Sequence, residues 1–307
     1  PTDEVPNPPR PDEIIQVKQH KYRIIRSIGE GGSGKVYQVL SLTHMDIFAL
    51  KWIILRDDLD IENVKNEIKI MKVLMSCRHV INLCDSEITA KVAYMVMEYG
   101  SSNFGHLIQS QIKQGWDITF FKYYWKQMLK AVKATHKHNI IHADLKPANF
   151  VVVDGCLKLI DFGIADKIPD FTTNIGRQNQ ASFFFSFKKK VGTANFMAPE
   201  SLVDANIDIG GIPGYKQGRP SDVWSLGCIL YQMIYSKPPF FHLPRNARIG
   251  AIINVEHDIL IPENVKYGDD TIVVPTVLRN LLQVCLNRNA QLRPTLTELL
   301  AHPFINT

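Results

Sequence analysis

The chain has 307 residues, 45% apolar and 21% charged. Those proportions exclude disorder over most of its length and leave room for one large domain or two smaller ones. A net charge of +5 is slight for this length and argues neither for nor against an anionic partner.

Residues 1–20 read as a lead-in. Pro1, Pro6, Pro8, Pro9 and Pro11 crowd its start and little in it asks to be buried, so we expect it to be disordered or extended. No secretory-signal pattern opens the chain, and a start at Pro1 rather than Met leads us to expect an excerpt or a processed product. From Tyr22 the pattern predicts strands at Tyr22–Ile28, Lys35–Leu40 and Ile47–Leu55, all rich in Val, Ile, Tyr and Phe. Ile61, Val64, Ile68, Met71 and Met75 then recur at helical spacing, and short strands follow near Val80–Glu87 and Val92–Met97.

Beyond Gly100 helices dominate. Phe121, Trp125, Met128 and Val132 form a stripe, with further helices predicted at Asp222–Tyr235, Thr276–Leu286 and Thr295–His302. Strands first and helices after predict an α+β fold with two lobes joined near Gly100. Between Asp161 and Glu200 no period is sustained, and we expect a long mobile loop. The longest apolar stretch, Val223 to Tyr235, is broken by Ser225, Gly227 and Gln232 and is too short to span a bilayer. Cys77, Cys84, Cys156, Cys228 and Cys285 form an odd set without a close pair, which argues for free thiols in a reducing compartment rather than disulfides or zinc.

Gly29-Glu30-Gly31-Gly32-Ser33-Gly34 fits G-x-G-x-x-G, a weak signal alone. A dinucleotide fingerprint should open a helix and carry an acidic residue about 20 positions on. Here the loop opens the strand from Lys35, and Lys51 stands where the acid should be. A P-loop needs a hydroxyl where Val36 stands, so no magnesium-binding oxygen is available there. A strand–turn–strand flap over ATP phosphates fits every position; the bland alternative is an ordinary glycine-rich turn.

Lys51 lies in the strand Phe48-Ala49-Leu50-Lys51-Trp52-Ile53-Ile54, and burying its ammonium there is costly unless it is paired. Glu67 shares the apolar face of the 61–75 helix, where Asn63, Val64, Ile70 and Met71 offer it no cation. As partners the two would solve both problems, and in a kinase such a pair holds the lysine on the α- and β-phosphates. The alternative is a snorkelling lysine.

The densest signal is His142-Ala143-Asp144-Leu145-Lys146-Pro147-Ala148-Asn149, followed after one hairpin by Asp161-Phe162-Gly163. Phosphoryl transfer needs a carboxylate to orient the acceptor hydroxyl, oxygens for metal, and cations for the transferring group. Asp144 suits the first role, Asn149 and Asp161 suit magnesium, and Lys146 suits the γ-phosphate. His136, His138 and His142 read as structural or surface residues rather than a metal cluster. Arg293 is the expected bidentate partner of Glu200 in Ala198-Pro199-Glu200, and Asp222 the expected N-cap of its helix, steadying the catalytic segment.

With these residues in hand, the chain resembles the eukaryotic protein kinase superfamily over residues 22–304. Within it the chain is similar to the monopolar spindle (TTK-type) family of dual-specificity checkpoint kinases. Met95-Val96-Met97-Glu98, Lys146-Pro147-Ala148-Asn149-Phe150, Val153-Asp154-Gly155, Leu157 to Ala165, Val191-Gly192-Thr193, Asp222 to Tyr231 and Glu298 to Pro303 carry the likeness. It implies a bilobal fold, with an N-lobe at about 21–97, a hinge at 98–100 and a C-lobe at 101–304. It further implies ATP and Mg2+ as cofactors, with Ile28, Val36, Ala49 and Val151 around the adenine. Met97 would be the gatekeeper, Glu98 to Gly100 the hinge, and Gly29 to Gly34 the phosphate cover.

Lys146 two residues after Asp144 follows the Ser/Thr pattern, to which the family's dual specificity adds tyrosine. Kinetochore or checkpoint proteins, and the enzyme itself in trans, are the implied substrates, with autophosphorylation at Thr172, Thr173 and Thr193. Nucleic acid and membrane are not expected partners. The implied location is the nucleus, kinetochore or spindle, and otherwise the cytoplasm. Ala143 stands where many kinases place an arginine that grips a loop phosphate, and this family also lacks it. The run Phe183-Phe184-Phe185-Ser186-Phe187-Lys188-Lys189-Lys190 looks like an insertion, read as a solvated loop rather than a nucleic-acid or membrane site.

Overall fold

The computed structural model describes residues 6–31, 34–163, 166–167, 174–175, 193–202 and 217–306, with backbone alone at 31, 166–167, 174–175, 193 and 217. The chain folds as two compact units, Pro1–Ser101 with Val152–Ile164, and Ser102–Val151 with Ala165–Thr307. The division is therefore not a single cut at 98–100, because 152–164 belongs with the first unit. Most of 161–200, including Thr172, Thr173 and the Phe/Lys run, lies outside the described residues.

The first unit is built on a six-stranded antiparallel sheet in the order β1-β2-β3-β4-β6-β5. Its strands are β1 (Ile14–Val17), β2 (His20–Gly31), β3 (Gly34–Ser41), β4 (Ile47–Ile54), β5 (Leu83–Ile88) and β6 (Val92–Glu98). Alternation along the strands sends Tyr22, Ile24, Tyr37, Val39, Leu50, Trp52 and Val96 into one core. The same period of two places Ala49 and Lys51 on the opposite face from Leu50 and Trp52.

β1 corrects the expectation of a disordered lead-in through residue 20. Val17 is fully buried in the sheet's core. The turn after it is fastened by the Lys18 amide donating to Glu87 at 2.5 Å and the Lys18 ammonium meeting Asp85 at 2.8 Å. Partners 67 and 69 residues away order this segment, which local composition does not reveal.

The helix α1 (Asp58–Val73) follows β4. Asp57 caps it by accepting from the Asp60 amide, Asp58 and Asp60 sit in the first turn, and Lys72 in the last, each sign matched to the helix dipole. Val64, Glu67, Ile68, Ile70 and Met71 form its buried face. Met75, expected to continue that stripe, lies beyond the helix and is exposed.

The second unit is mainly helical. Its helices α2 (Phe104–Gln114) and α3 (Ile118–Lys137) are capped by Asn103 and Asp117, and α3 buries Phe121, Trp125, Met128 and Val132 as its stripe predicts. The helix Arg219–Tyr235 is buried around most of its circumference, which explains its near-continuous apolar sequence. Trp125 pins it to α3 by donating from Nε1 to the Leu226 carbonyl at 3.0 Å. Thr276–Cys285 and Leu296–Ala301 complete the packing; the latter opens on a capping box between Thr295 and Glu298.

Close approach of the Arg219–Tyr235 and Thr276–Cys285 helices depends on Gly227. A Cβ there would lie 2.8 Å from the Cys285 Cβ and 3.1 Å from a Leu286 methyl. Gly227→Ala is therefore expected to destabilise the protein by about 1–3 kcal/mol, the usual cost of overpacking. Thermal denaturation checks this, and an unchanged melting temperature would refute it.

Candidate active site

The strand β4 carries Lys51 into the first unit's interior, where the residue is only 5% exposed. Its ammonium lies 2.7 Å from Glu67 Oε1 and 3.7 Å from Asp161 Oδ1. Burial alone would lower the lysine's pKa, but the Glu67 and then the Asp161 carboxylate outweigh it and hold the pKa above its ordinary value. Lys51 is thus a fixed cation, and removing either member of the buried pair would cost about 3–5 kcal/mol by stranding the other charge.

Asp161 adopts the left-handed region at φ 64°. That conformation is unfavourable for a non-glycine residue and persists because surrounding contacts over-determine it. The Gly163 amide donates to Asp161 Oδ1 at 3.3 Å. A Cβ at Gly163 would sit 3.3 Å from that oxygen and 3.7 Å from Glu67 Oε2, so the glycine lets the chain pass close to both carboxylates.

The glycine segment lies at the β2–β3 turn, with Gly29 facing Val36 and Glu30 facing Lys35 across the ladder. Gly32 and Ser33 lie outside the described residues. Gly34 holds φ 133°, and a Cβ there would run into the Trp52 carbonyl, so this position requires glycine. Val36 pairs with Lys51, and Ala49 pairs with Met97, which sets these expected nucleotide residues beside one another in the sheet. Ile28 is exposed and Val36 and Met97 are half-buried. Val151, also half-buried, belongs to the second unit.

Glu98 and Gly100 are half-buried. Lys158 reaches the two Glu98 carboxylate oxygens at 2.9 and 2.6 Å, and Asn82 donates to them from Nδ2 at 2.9 Å and from its backbone at 3.1 Å. The sequence reading missed Asn82 and Lys158. A lysine at 158 between Leu157 and Leu159 carries the same signal as Lys51, an ammonium in an apolar strand that needs a partner.

In the second unit the segment 142–149 brings Asp144, Lys146 and Asn149 together. Lys146 Nζ lies 2.6 Å from Asp144 Oδ2, and Asn149 Nδ2 donates to the Asp144 carbonyl at 2.7 Å. The other carboxylate oxygen, Oδ1, is buried and takes no hydrogen bond among the described residues. A buried oxygen without a donor is costly, and an incoming hydroxyl is a group that would satisfy it. With Nδ2 committed to the carbonyl, Asn149 keeps Oδ1 as a hard oxygen. Such an oxygen, like those of the Asp161 carboxylate in the first unit, is a donor type that fits Mg2+.

Asp222 holds this segment, although not as the expected N-cap. The cap is Gly218, whose amide donates to Ser221 Oγ at 3.2 Å, and Asp222 sits inside the first turn. Its fully buried carboxylate accepts from the backbone amides of His142 at 3.1 Å and Ala143 at 3.0 Å, and from His136 Nε2 at 2.8 Å. Ala143 is thereby held at φ 64°, again the left-handed region. His136 and His142 are structural as expected: the second is buried and accepts from the Asp144 amide on Nδ1 at 3.3 Å. His138 bonds the Ala134 carbonyl through Nδ1.

The expected Glu200–Arg293 pair is present and bidentate, at 2.6 and 2.8 Å. Ser221 also donates to Glu200, and the guanidinium lies 5.1 Å from the Trp224 ring centroid. This fixes the end of the 161–200 segment to the helical core. Backbone at 193 begins a 3-10 turn, Thr193–Phe196, while the Thr193 side chain lies outside the described residues.

Residues 22–305 match the family described as protein kinase domain, and the chain belongs to the protein kinase family. It is 40% identical to serine/threonine-protein kinase mph1 of Schizosaccharomyces pombe, over 98% of this chain and 45% of that protein. It is 41% identical to dual specificity protein kinase TTK of Mus musculus, over 96% of this chain and 32% of that protein. It is 37% identical to serine/threonine-protein kinase MPS1 of Saccharomyces cerevisiae, over 95% of this chain and 37% of that protein. These are kinases of the monopolar spindle type that the sequence resembles, and this chain spans less than half the length of each.

Burial works to raise the Asp222 pKa, but the His136 hydrogen bond and charge and the Ala143 amide bring it below the ordinary carboxylate value. A depressed folded pKa contributes stability that is present above the unfolded value of about 3.9 and is lost as pH falls through the folded value. Asp222→Asn is therefore expected to cost about 3 kcal/mol at pH 7, with the deficit shrinking below about pH 4. Urea denaturation of both proteins from pH 7 to pH 3 checks it, and a deficit independent of pH would refute the assignment.

Proposed function

We propose that this chain is an ATP- and Mg2+-dependent protein kinase domain that phosphorylates serine and threonine, and additionally tyrosine, on other proteins. The observation that carries the reading is the buried Asp144 Oδ1, without a donor among the described residues and held beside Lys146 and Asn149. Asp144 orients the acceptor hydroxyl through that oxygen and takes its proton as the oxygen attacks the γ-phosphorus. Lys146 supplies positive charge for the transferring phosphoryl group, and Lys51, kept cationic by Glu67, does so for the α- and β-phosphates. Asn149 and Asp161 each offer an oxygen that would serve Mg2+, which would neutralise phosphate charge. By likeness to the family, the backbone of 98–100 receives the adenine against Ile28, Val36 and Ala49, with Met97 as gatekeeper.

Likeness to the monopolar spindle kinases further supports a role in the spindle checkpoint. Kinetochore proteins and a second copy of the enzyme are then substrates, and the nucleus, kinetochore or spindle the site of action. Asp144→Asn keeps the shape but loses the base, and is expected to lower kcat by at least about 100-fold while Mg·ATP binding stays within two-fold. Radiolabel transfer to a protein substrate and calorimetric nucleotide titration check this; near-normal kcat in the variant would overturn the role of Asp144.

Autophosphorylation at Thr172, Thr173 and Thr193 is a separate expectation. Ala143 offers no cation to a loop phosphate, so any stimulation is expected to run through Lys167, Arg177 and Lys188 to Lys190. Mass spectrometry after incubation with Mg·ATP should find phosphate between Asp161 and Glu200 in the wild type and none in Asp144→Asn. Absence of phosphate there in the active enzyme would remove the idea.

A further inference from the structure

Glu98 ends β6, and its carboxylate collects four hydrogen bonds from two other segments of the first unit. Lys158 Nζ lies 2.9 and 2.6 Å from its two oxygens, and the Asn82 side-chain and backbone nitrogens lie at 2.9 and 3.1 Å. The Glu98 amide in turn donates to the Asn82 carbonyl at 3.2 Å. The ion pair is well shielded, with the Lys158 side chain 11% exposed and that of Glu98 23% exposed. Such a pair is screened little by salt.

Asn82 shows which interaction dominates. Its Nδ2 faces Glu98 although this leaves its own Oδ1 buried without a donor among the described residues. A side chain that accepts that penalty is held by a charge-assisted bond stronger than what it forgoes.

What the cluster joins matters more than its strength. Lys158 stands on Cys156–Leu159, the strand that runs into Asp161. That strand is tied again to the segment following α1, through Leu159 N to the His79 carbonyl at 2.9 Å and Ile81 N to the Leu159 carbonyl at 3.0 Å. The helix α1 supplies Glu67, and β6 pairs with β4, where Lys51 faces Met95. The approach to Asp161, the exit of α1 and the end of β6 therefore meet at one carboxylate.

We propose that Asn82, Glu98 and Lys158 form a positioning cluster, resting on the kinase reading above, that holds the 98–100 backbone in register with Asp161 and thereby sets the affinity for Mg·nucleotide. None of the three side chains needs to touch the nucleotide. Lys158 acts through Glu98, and Asn82 completes the carboxylate's shell.

The test uses Lys158→Met, Lys158→Arg and Asn82→Ala in the chain described here, with Mg·ADP titrated by calorimetry and ATP kinetics measured alongside. Lys158→Met is expected to weaken Mg·ADP and raise KM for ATP by about five-fold or more with kcat within two-fold, the pattern of lost uniform binding. Lys158→Arg should recover most of that loss. Adding Asn82→Ala to Lys158→Met should cost less than the two effects multiplied, since both act on one carboxylate.

A lowered melting temperature with unchanged Mg·ADP affinity would make the cluster purely structural and overturn the proposal. A raised kcat at unchanged KM would overturn it as well, because the cluster would then restrain turnover. If wild-type protein binds Mg·ADP but transfers no phosphate, the kinase reading fails, and the ADP titrations still decide the cluster.

Discussion

The Lys51–Glu67 pair is the constraint around which the first unit is arranged. An ammonium in a strand between Leu50 and Trp52 is tolerable only with a carboxylate at hydrogen-bonding distance, and the pair is 2.7 Å apart with both groups buried. That requirement fixes the rotation of α1, because Glu67 faces β4 only if Val64, Ile68 and Met71 pack beside it. It also fixes the approach of Asp161, whose carboxylate is the second anion near the same ammonium. The pair contributes little net stability by itself, since desolvation offsets most of its attraction. Its value is geometric: it holds one cation at one place.

The second unit solves the same problem of buried charge with different chemistry. Asp222 is neutralised mainly by backbone amides and one imidazole rather than by a basic side chain. Amides of His142 and Ala143 cannot leave that carboxylate without stranding a charge, so the segment carrying Asp144 has a fixed origin, and Ala143 accepts a left-handed backbone to keep it. Glu200 is neutralised by the planar fork of Arg293, whose remaining nitrogen, Nε, donates to the Asn287 carbonyl. In each case the group that satisfies the charge also places a neighbouring segment.

Against this pattern of satisfied charges, a buried carboxylate oxygen without a donor among the described residues stands out. Asp222, Glu200, Glu67 and Glu98 all have their partners within the fold, whereas Asp144 Oδ1 is buried and open. Among the described residues the other buried carboxylates have partners, so this oxygen is the acceptor that the proposed role of Asp144 would use.

Residue type and spacing by themselves pointed to the α+β class, to most strand and helix phases, to the need of Lys51, Glu67 and Glu200 for partners, and to the cluster at Asp144, Lys146 and Asn149. Each was legible for a local reason: a charge placed in an apolar run demands a partner, and a period of two or of 3.6 states which face is buried. Tertiary structure alone decided the rest. Asp222 at the start of a helix reads as a cap, because the amides it serves lie 79 and 80 residues earlier in the chain. β1 reads as a tail, because Val17, Lys18 and His20 are ordered by strands that follow much later, among them β5 with Asp85 and Glu87. Lys158 reads as a strand residue until Glu98 is found 60 positions away. Local physics shows that a charge needs a partner, and only the folded chain, by bringing distant segments together, names which one.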